Sequence, residues 1–213
     1  MKRIIIIDGG PRKTMNTATM LERFAEGARS AGADVDVQII RLYELDFKGC
    51  MSCMACKVKD HVSNVCRFRD ALTPVLDAIA EADGLVIGSP IYFSEVTALT
   101  RAFLERLVFP WLSYNDYSLT APKRMPVALI YTMNATAEQA KGVYQCMGII
   151  ENCITRALGE PEHIDAYNTY QVKNYARYEL AGFPEPMKRQ YRDEHWEQDL
   201  QRAYDAGRRM ALA

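Results

Sequence analysis

Residues 3–8 read "RIIIID", an almost unbroken apolar run. A half-exposed strand alternates apolar and polar positions, so a continuous run predicts a strand buried on both faces. Across residues 17–31, Leu21, Phe24, Ala25 and Ala28 recur at i, i+3, i+4 and i+7, which predicts one buried helix face that Gly32 terminates. Residues 35–42 ("VDVQIIRL") predict a second strand. Thr73 and Pro74 supply a capping hydroxyl and a first-turn proline for the next helix, with Leu72, Val75, Leu76, Ile79 and Ala80 on its apolar face. "GLVIG" at residues 84–88 predicts a third buried strand, and the loop "SPIYFSEVT" leads into a helix bearing Leu99, Ala102, Phe103 and Leu107.

An irregular aromatic stretch, "FPWLSYNDYSLTAPKR", precedes a fourth strand at residues 126–131. Val143, Cys146, Met147, Ile150, Ile154 and Ala157 mark a long helix, with Cys146 and Cys153 expected in its core face. Residues 162–167 predict a fifth strand, and a last helix starts near Tyr191 with Trp196, Leu200, Ala203 and Tyr204 on one side. Strands alternating with helices imply parallel βαβ units and right-handed crossovers. The expected fold is an α/β, flavodoxin-like three-layer sandwich with a five-stranded parallel sheet in the order 2-1-3-4-5. Residues 1–170 would form its body, with a cysteine-rich loop at 49–66; residues 171–213 would be an extension of the same domain ending in a helix. Ligands in such sheets bind beyond the carboxyl ends of the strands.

The chain has 213 residues and a net charge of −1, which suits one domain and gives no basic excess for nucleic-acid binding. No apolar run reaches the ~20 residues of a membrane span, and the opening "MKRIIIID" is too short for a signal sequence. A cytoplasmic protein without membrane association is expected. Clustered cysteines in a reducing compartment are metal-binding or catalytic more often than disulfide-bonded. The histidines, His61, His163 and His195, are scattered and read as surface or capping residues.

The loop after the first strand reads "DGGPRKTMNTATM" and runs into a helix N-terminus. Free N–H groups and the helix dipole favour an anion there. Gly9 and Gly10 permit close backbone approach, Arg12 offers a forked charged contact, and Asn16, Thr17 and Thr19 add short donors. An ordinary strand-to-helix turn is the alternative. Neither the Gly-Lys-Ser/Thr phosphate motif nor G-x-G-x-x-G is present. The loops after strands three and four add apolar and aromatic side chains at Ile91, Tyr92 and Phe93 and a polar wall at residues 131–136. A phosphate site, a ring platform and a polar wall at one sheet edge fit FMN.

"GGPRKTMNTA" and "ADGLVIGSPIYFSEVTALTRAFLER" resemble the two flavin loops of the NADPH-dependent FMN reductase family, and "CMSCMACK…C" followed by Asp70 resembles its iron–sulfur flavoprotein branch. The similarity spans residues 2–158. It implies that Arg12, Asn16 and Thr17 hold the FMN phosphate, within a loop completed by Gly10, Pro11 and Ala18. Pro90, Ile91, Tyr92, Phe93 and Ser94 would line the isoalloxazine and ribityl chain, with Thr132, Met133 and Asn134 on the other side. Gly10 stands where the family's loop has serine, so one hydroxyl donor is lost. The implied activity is electron transfer from NADPH or NADH through FMN to an undetermined acceptor, in a homodimer or homotetramer. The implied alternatives are an electron carrier without its own nicotinamide reaction, or a metal- or thiol-sensing module.

Cys50, Cys53 and Cys56 follow Cys-x2-Cys-x2-Cys, and Cys66 follows after nine intervening residues. That run suits thiolate ligation of a 4Fe-4S cluster, and Lys57, Lys59, Arg67 and Arg69 could offset its charge. Zinc, which more often takes two separated Cys-x2-Cys pairs, and free thiols remain alternatives. The residues 109–117 would roof the flavin, pack at an interface or pack on their own domain; the tail would wrap a neighbouring subunit.

Overall fold

The computed structural model describes residues 1–213, the side chain of Ile149 excepted. Eleven principal elements alternate along the chain: β1 Lys2–Asp8, α1 Asn16–Arg29, β2 Val35–Arg41, α2 Thr73–Ala80, β3 Gly84–Tyr92, β4 Glu95–Val96, α3 Ala98–Val108, β5 Val127–Thr132, α4 Ala137–Leu158, β6 Glu162–His163 and α5 Glu185–Leu212. The sheet order is β2-β1-β3-β5-β6, and β4 pairs antiparallel with the end of β3. With the short β4 set aside, this is the expected 2-1-3-4-5 order. No helix among the described residues is long and apolar enough to cross a membrane.

The apolar run of β1 explains the layering. Ile4 and Ile6 face one helical layer, while Ile5 and Ile7 face the other, and all are fully buried. α1 and α5 pack on the first side, around Phe24, Trp196 and Leu200. α2, α3 and α4 pack on the second, around Leu76, Phe103 and Met147. Parallel register sets Asp8 beside Arg41 on one side and Gly88 on the other, and Pro90 beside Thr132. The carboxyl ends of β1, β3 and β5 therefore share one edge.

Several boundaries differ from expectation. β3 runs four residues past Gly88 because Ile91 and Tyr92 pair with Val96 and Glu95 in a hairpin. The ladder of β6 is short, but the chain continues parallel to β5, with the Ala166 amide donating to the Tyr131 carbonyl. α5 starts at Glu185, with Pro186 in its first turn, ahead of the apolar stripe that suggested Tyr191. Cys146 is exposed and Cys153 only half-buried, because the buried stripe of α4 runs through Val143, Met147 and Ile154 instead. The 109–117 stretch packs on its own domain: Trp111 is buried, and Lys57 Nζ donates to the Pro110 (2.8 Å) and Leu112 carbonyls.

α1 and α5 meet at two glycines. A Cβ on Gly27 would lie 1.9 Å from the Tyr204 carbonyl oxygen, and one on Gly207 would lie 2.0 Å from that of Phe24. Alanine gains about 1 kcal/mol over glycine in a helix, but overpacking costs ~1–3 kcal/mol. Against rigid backbone the clash prevails. Gly207→Ala should lower the denaturation midpoint by about 1 kcal/mol or more. Gly148→Ala, with nothing within 4 Å, should raise it.

Candidate active site

α1 begins without a side-chain cap. Met15 occupies the N-cap position and no acidic residue lies in the first turn. The first-turn N–H groups of Asn16, Thr17 and Ala18 thus face the loop as a ready anion site. The loop itself is fastened from below. The Gly10 amide donates to Asp8 Oδ1 (2.9 Å), and Arg41 Nη1 donates to Asp8 Oδ2 (3.0 Å). Burial raises the Asp8 carboxyl above its ordinary range, against the pull of the Gly10 amide and Arg41.

A set of buried hydroxyls joins this loop to β3 and α3. The Thr97 hydroxyl donates to the Gly9 carbonyl (2.7 Å), and the Thr97 amide donates to Ser89 Oγ (3.0 Å). Thr97 Oγ1 also caps α3 by accepting from the Thr100 amide (3.3 Å). Gly9 is required here, since a Cβ would lie 1.9 Å from Thr100 Oγ1. Across the sheet, Thr17 Oγ1 and Thr132 Oγ1 share a hydrogen bond of 2.7 Å.

These loops border a cleft of about 470 Å³. Of the residues expected there, Gly10, Pro11, Arg12, Asn16, Thr17, Pro90, Ile91, Tyr92, Thr132 and Asn134 line it. Four do not. Ala18 and Met133 are buried, Met133 within the core on the side of α2, α3 and α4. Phe93 and Ser94 form the turn of the β3–β4 hairpin with φ of 53° and 62°, and Phe93 points fully into solvent. Positive φ at both central positions is the pattern of a type I′ hairpin turn, which sets these two residues at the hairpin tip.

The sequence reading missed one whole wall. Thr169, Tyr170, Gln171, Val172, Tyr178 and Leu180 close the cleft on the side away from β3. Arg12 Nη1 donates to the Gln171 carbonyl, and Asn16 Nδ2 donates to that of Tyr170 (2.8 Å). The tail therefore covers its own chain's cleft. Lys188 on α5, fully buried, holds the base of this wall: its Nζ donates to the Asn134 carbonyl (2.9 Å) and to Asn168 Oδ1 (2.5 Å). Asn168 sits at φ 47°, a left-handed turn that asparagine tolerates. Burial lowers the Lys188 pKa to about 8. Two amide oxygens next to the cleft, Asn134 Oδ1 and Gln171 Oε1, are buried with no partner. Unpaired buried acceptors are costly and mark where a ligand N–H or O–H belongs.

On the other face of β5, Tyr131 donates to Glu151 (2.9 Å). His163 lies between Glu151 (3.6 Å) and Asp165 (3.8 Å), so it is a half-buried member of a polar cluster. Burial raises both carboxyls above their ordinary range.

All four clustered cysteines, Cys50, Cys53, Cys56 and Cys66, line one recess with Met51, Met54, Phe68, Glu105, Arg106, Phe109 and Pro110. The recess is nearly closed, at about 10 Å³. Left-handed turns at Ser52 (φ 52°) and Met54 (φ 57°) fold the run back on itself. Burial raises the Cys56 thiol above its ordinary value. Among the described residues no three ligating side chains converge on a single metal ion. Lys59, Arg67 and Arg69 point to solvent. The cation in contact with a sulfur is instead Arg106 of α3, whose Nε donates to Cys66 Sγ (2.9 Å). Its signal was an arginine inside the apolar stripe of Phe103, Leu104 and Leu107.

The sequence profile of the NADPH-dependent FMN reductase family matches residues 2–159. The chain belongs to that family. Within it, the chain is 35% identical over 156 residues to an iron–sulfur flavoprotein of Archaeoglobus fulgidus, covering 73% of this chain and 70% of the relative. An iron–sulfur flavoprotein of Methanocaldococcus jannaschii is 33% identical over 104 residues, 49% of this chain and 51% of the relative. The fold matches an NAD(P)H:quinone oxidoreductase from Methanothermobacter marburgensis, with a TM-score of 0.71 and 16% identity over 97% of this chain and 98% of the other. It also matches an FMN-dependent NADH-azoreductase from Bacillus anthracis in complex with FMN, with a TM-score of 0.70 and 10% identity over 99% and 100% of the two chains. The family profile ends at residue 159, before the tail wall and Lys188, which explains why family motifs could not reveal either.

The cleft meets the demands of the family's flavin: an uncapped helix start beside Arg12, an apolar strand end at Pro90 and Ile91, and two unpartnered amide acceptors. Arg12 is expected to hold the FMN phosphate, and a charged contact of that kind is worth ~1.5–3 kcal/mol, so Arg12→Ala should weaken FMN binding about 10–100-fold while riboflavin changes less than about twofold. Titration with both ligands checks this; equal losses would exclude the phosphate role. Lys188 has a folded pKa of about 8 against 10.5 unfolded. Between these values the unfolded chain holds the extra proton, so stability contributed here rises with pH from 8 to 10.5 and is flat below 8. The gain is about 3 kcal/mol at most. Urea midpoints at pH 7.5 and 10 should show this component in the wild type and lack it in Lys188→Met.

Proposed function

We propose that this protein is an FMN-dependent NAD(P)H oxidoreductase that passes electrons from a reduced nicotinamide through FMN to an acceptor outside the chain. The observation that carries the reading is the cleft itself, with an anion site at one end, an apolar strand end at the other and unsatisfied acceptors between. Bound FMN supplies hydride acceptance and onward electron release. The chain's own residues bind and orient. Arg12 and the first-turn amides of α1 hold the phosphate, Pro90, Ile91 and Tyr92 flank the ring, and Asn134 and Gln171 accept its polar hydrogens. The 169–180 wall keeps water from one side. No side chain is assigned as general acid or base. A homodimer or homotetramer is part of this reading.

A second reading, an iron–sulfur electron carrier, is favoured by the four cysteines that share one recess. Their donor chemistry suits a thiolate-bound cluster. A single zinc needs its sulfurs about 2.3 Å from one point, and the described residues do not converge that way. Cys50, Cys53, Cys56 and Cys66 would hold such a cluster, since all four line the recess. α3 connects the two sites. From Thr97 at the flavin loops to Arg106 at the recess is about 13 Å along the helix axis.

Anaerobic addition of NADPH or NADH to FMN-loaded protein is the test. Bleaching of the yellow flavin band by either nucleotide is the expected result. If both fail while a reduced electron-transfer protein succeeds, the carrier reading replaces the oxidoreductase. Lack of tight FMN binding removes both.

A further inference from the structure

Arg106 is 1% exposed, lies within the apolar face of α3, and spends its donors on the cysteine loop alone. Nη1 donates to the Lys48 carbonyl (2.9 Å) and Asp70 Oδ2 (2.8 Å). Nη2 donates to the Phe68 carbonyl (2.9 Å) and Asp70 Oδ1 (3.2 Å). Nε donates to Cys66 Sγ (2.9 Å). Lys48 and Phe68–Asp70 are the two stems of the loop, so one guanidinium ties both stems to one helix. Among the described residues it is also the one donor that reaches a cysteine sulfur.

Asp70 makes this arrangement rigid. Although burial opposes it, hydrogen bonds from Arg106 and from the Lys48 and Leu72 amides hold the Asp70 carboxyl below its ordinary range. The forked pair is a strong charge-assisted contact with fixed geometry. A nearby carboxylate, Glu105, accepts from the Cys50 amide (3.3 Å), so adjacent residues of α3 hold the first and last cysteines of the set. Lys57, the other cation beside the recess, directs its ammonium to the Pro110 and Leu112 carbonyls.

We infer that Arg106 is a positioning residue for the iron–sulfur reading above: it places Cys66 as the fourth thiolate across the long gap and hydrogen-bonds its sulfur. The nine residues between Cys56 and Cys66 would otherwise leave the fourth sulfur free to wander. A hydrogen bond and a positive charge at a ligating sulfur also favour the reduced cluster, which carries more negative charge.

The test is anaerobic reconstitution of the full chain with iron and sulfide, for the wild type, Arg106→Gln and Cys66→Ser. Iron retention against a chelator and the reduction potential of the iron-dependent absorbance are read, with bound FMN as the measure of folding. Arg106→Gln should bind FMN as the wild type does, release iron at least tenfold faster, and shift to a more negative potential. Its iron loss should approach that of Cys66→Ser. Should Arg106→Gln fail to fold, Arg106→Lys keeps the charge but cannot reach both stems and the sulfur, and the same changes are expected in smaller measure. Wild-type retention and potential in the folded Arg106 variants would overturn the inference alone. A wild type that takes up no iron would instead overturn the iron–sulfur reading, and the role of Arg106 with it.

Discussion

The Thr97 hydroxyl donates to the Gly9 carbonyl while the Thr97 amide donates to Ser89, and both bonds are buried. This junction ties the loop after β1, the end of β3 and the start of α3 into one unit. Each of the three has another task. The first presents the anion site, the second the apolar strand end, and the third carries Arg106 to the cysteine recess. A buried hydrogen bond in a low-dielectric setting is costly to leave unmade, so the three cannot drift independently. The cleft inherits its shape from that shared anchorage more than from any one residue that lines it.

Charge burial follows the same logic. Asp8 is enclosed but compensated by Arg41 on the neighbouring strand, a pairing that parallel register makes unavoidable. Arg106 is enclosed and compensated by Asp70. Lys188 differs: its ammonium meets two neutral oxygens and the face of Phe183, with no carboxylate in contact. An uncompensated cation of this kind costs stability, and it survives where its hydrogen bonds fix something else. Here it fixes the Asn134 carbonyl and the left-handed turn at Asn168, the root of the tail wall.

The two candidate sites depend on different kinds of order. The cleft is held by the buried hydroxyl junction of Thr97 and Ser89 and opens on a helix start that no side chain caps. The recess is held at its stems by Arg106 and remains exposed in its middle.

Local pattern alone determined the layers. Four isoleucines in a row must be buried on both sides, and helical stripes of matching size must cover them, so the parallel α/β sandwich and its strand order were legible. The loops after β1 and β3 were legible as well, because "GGPRKTMNTA" and "GSPIY" place special residues at the ends of buried strands. Side-chain direction was not. Phe93 turned outward because β3 extended into a hairpin, a pairing that depends on Val96 and Glu95 and not on the run before it. The tail wall, Lys188 and Arg106 reach their places only through contacts across 20 to 159 residues of separation. Such contacts leave no periodicity, because nothing local repeats; they exist only once the two helical layers have closed on the sheet and the loops must share the space at its edge.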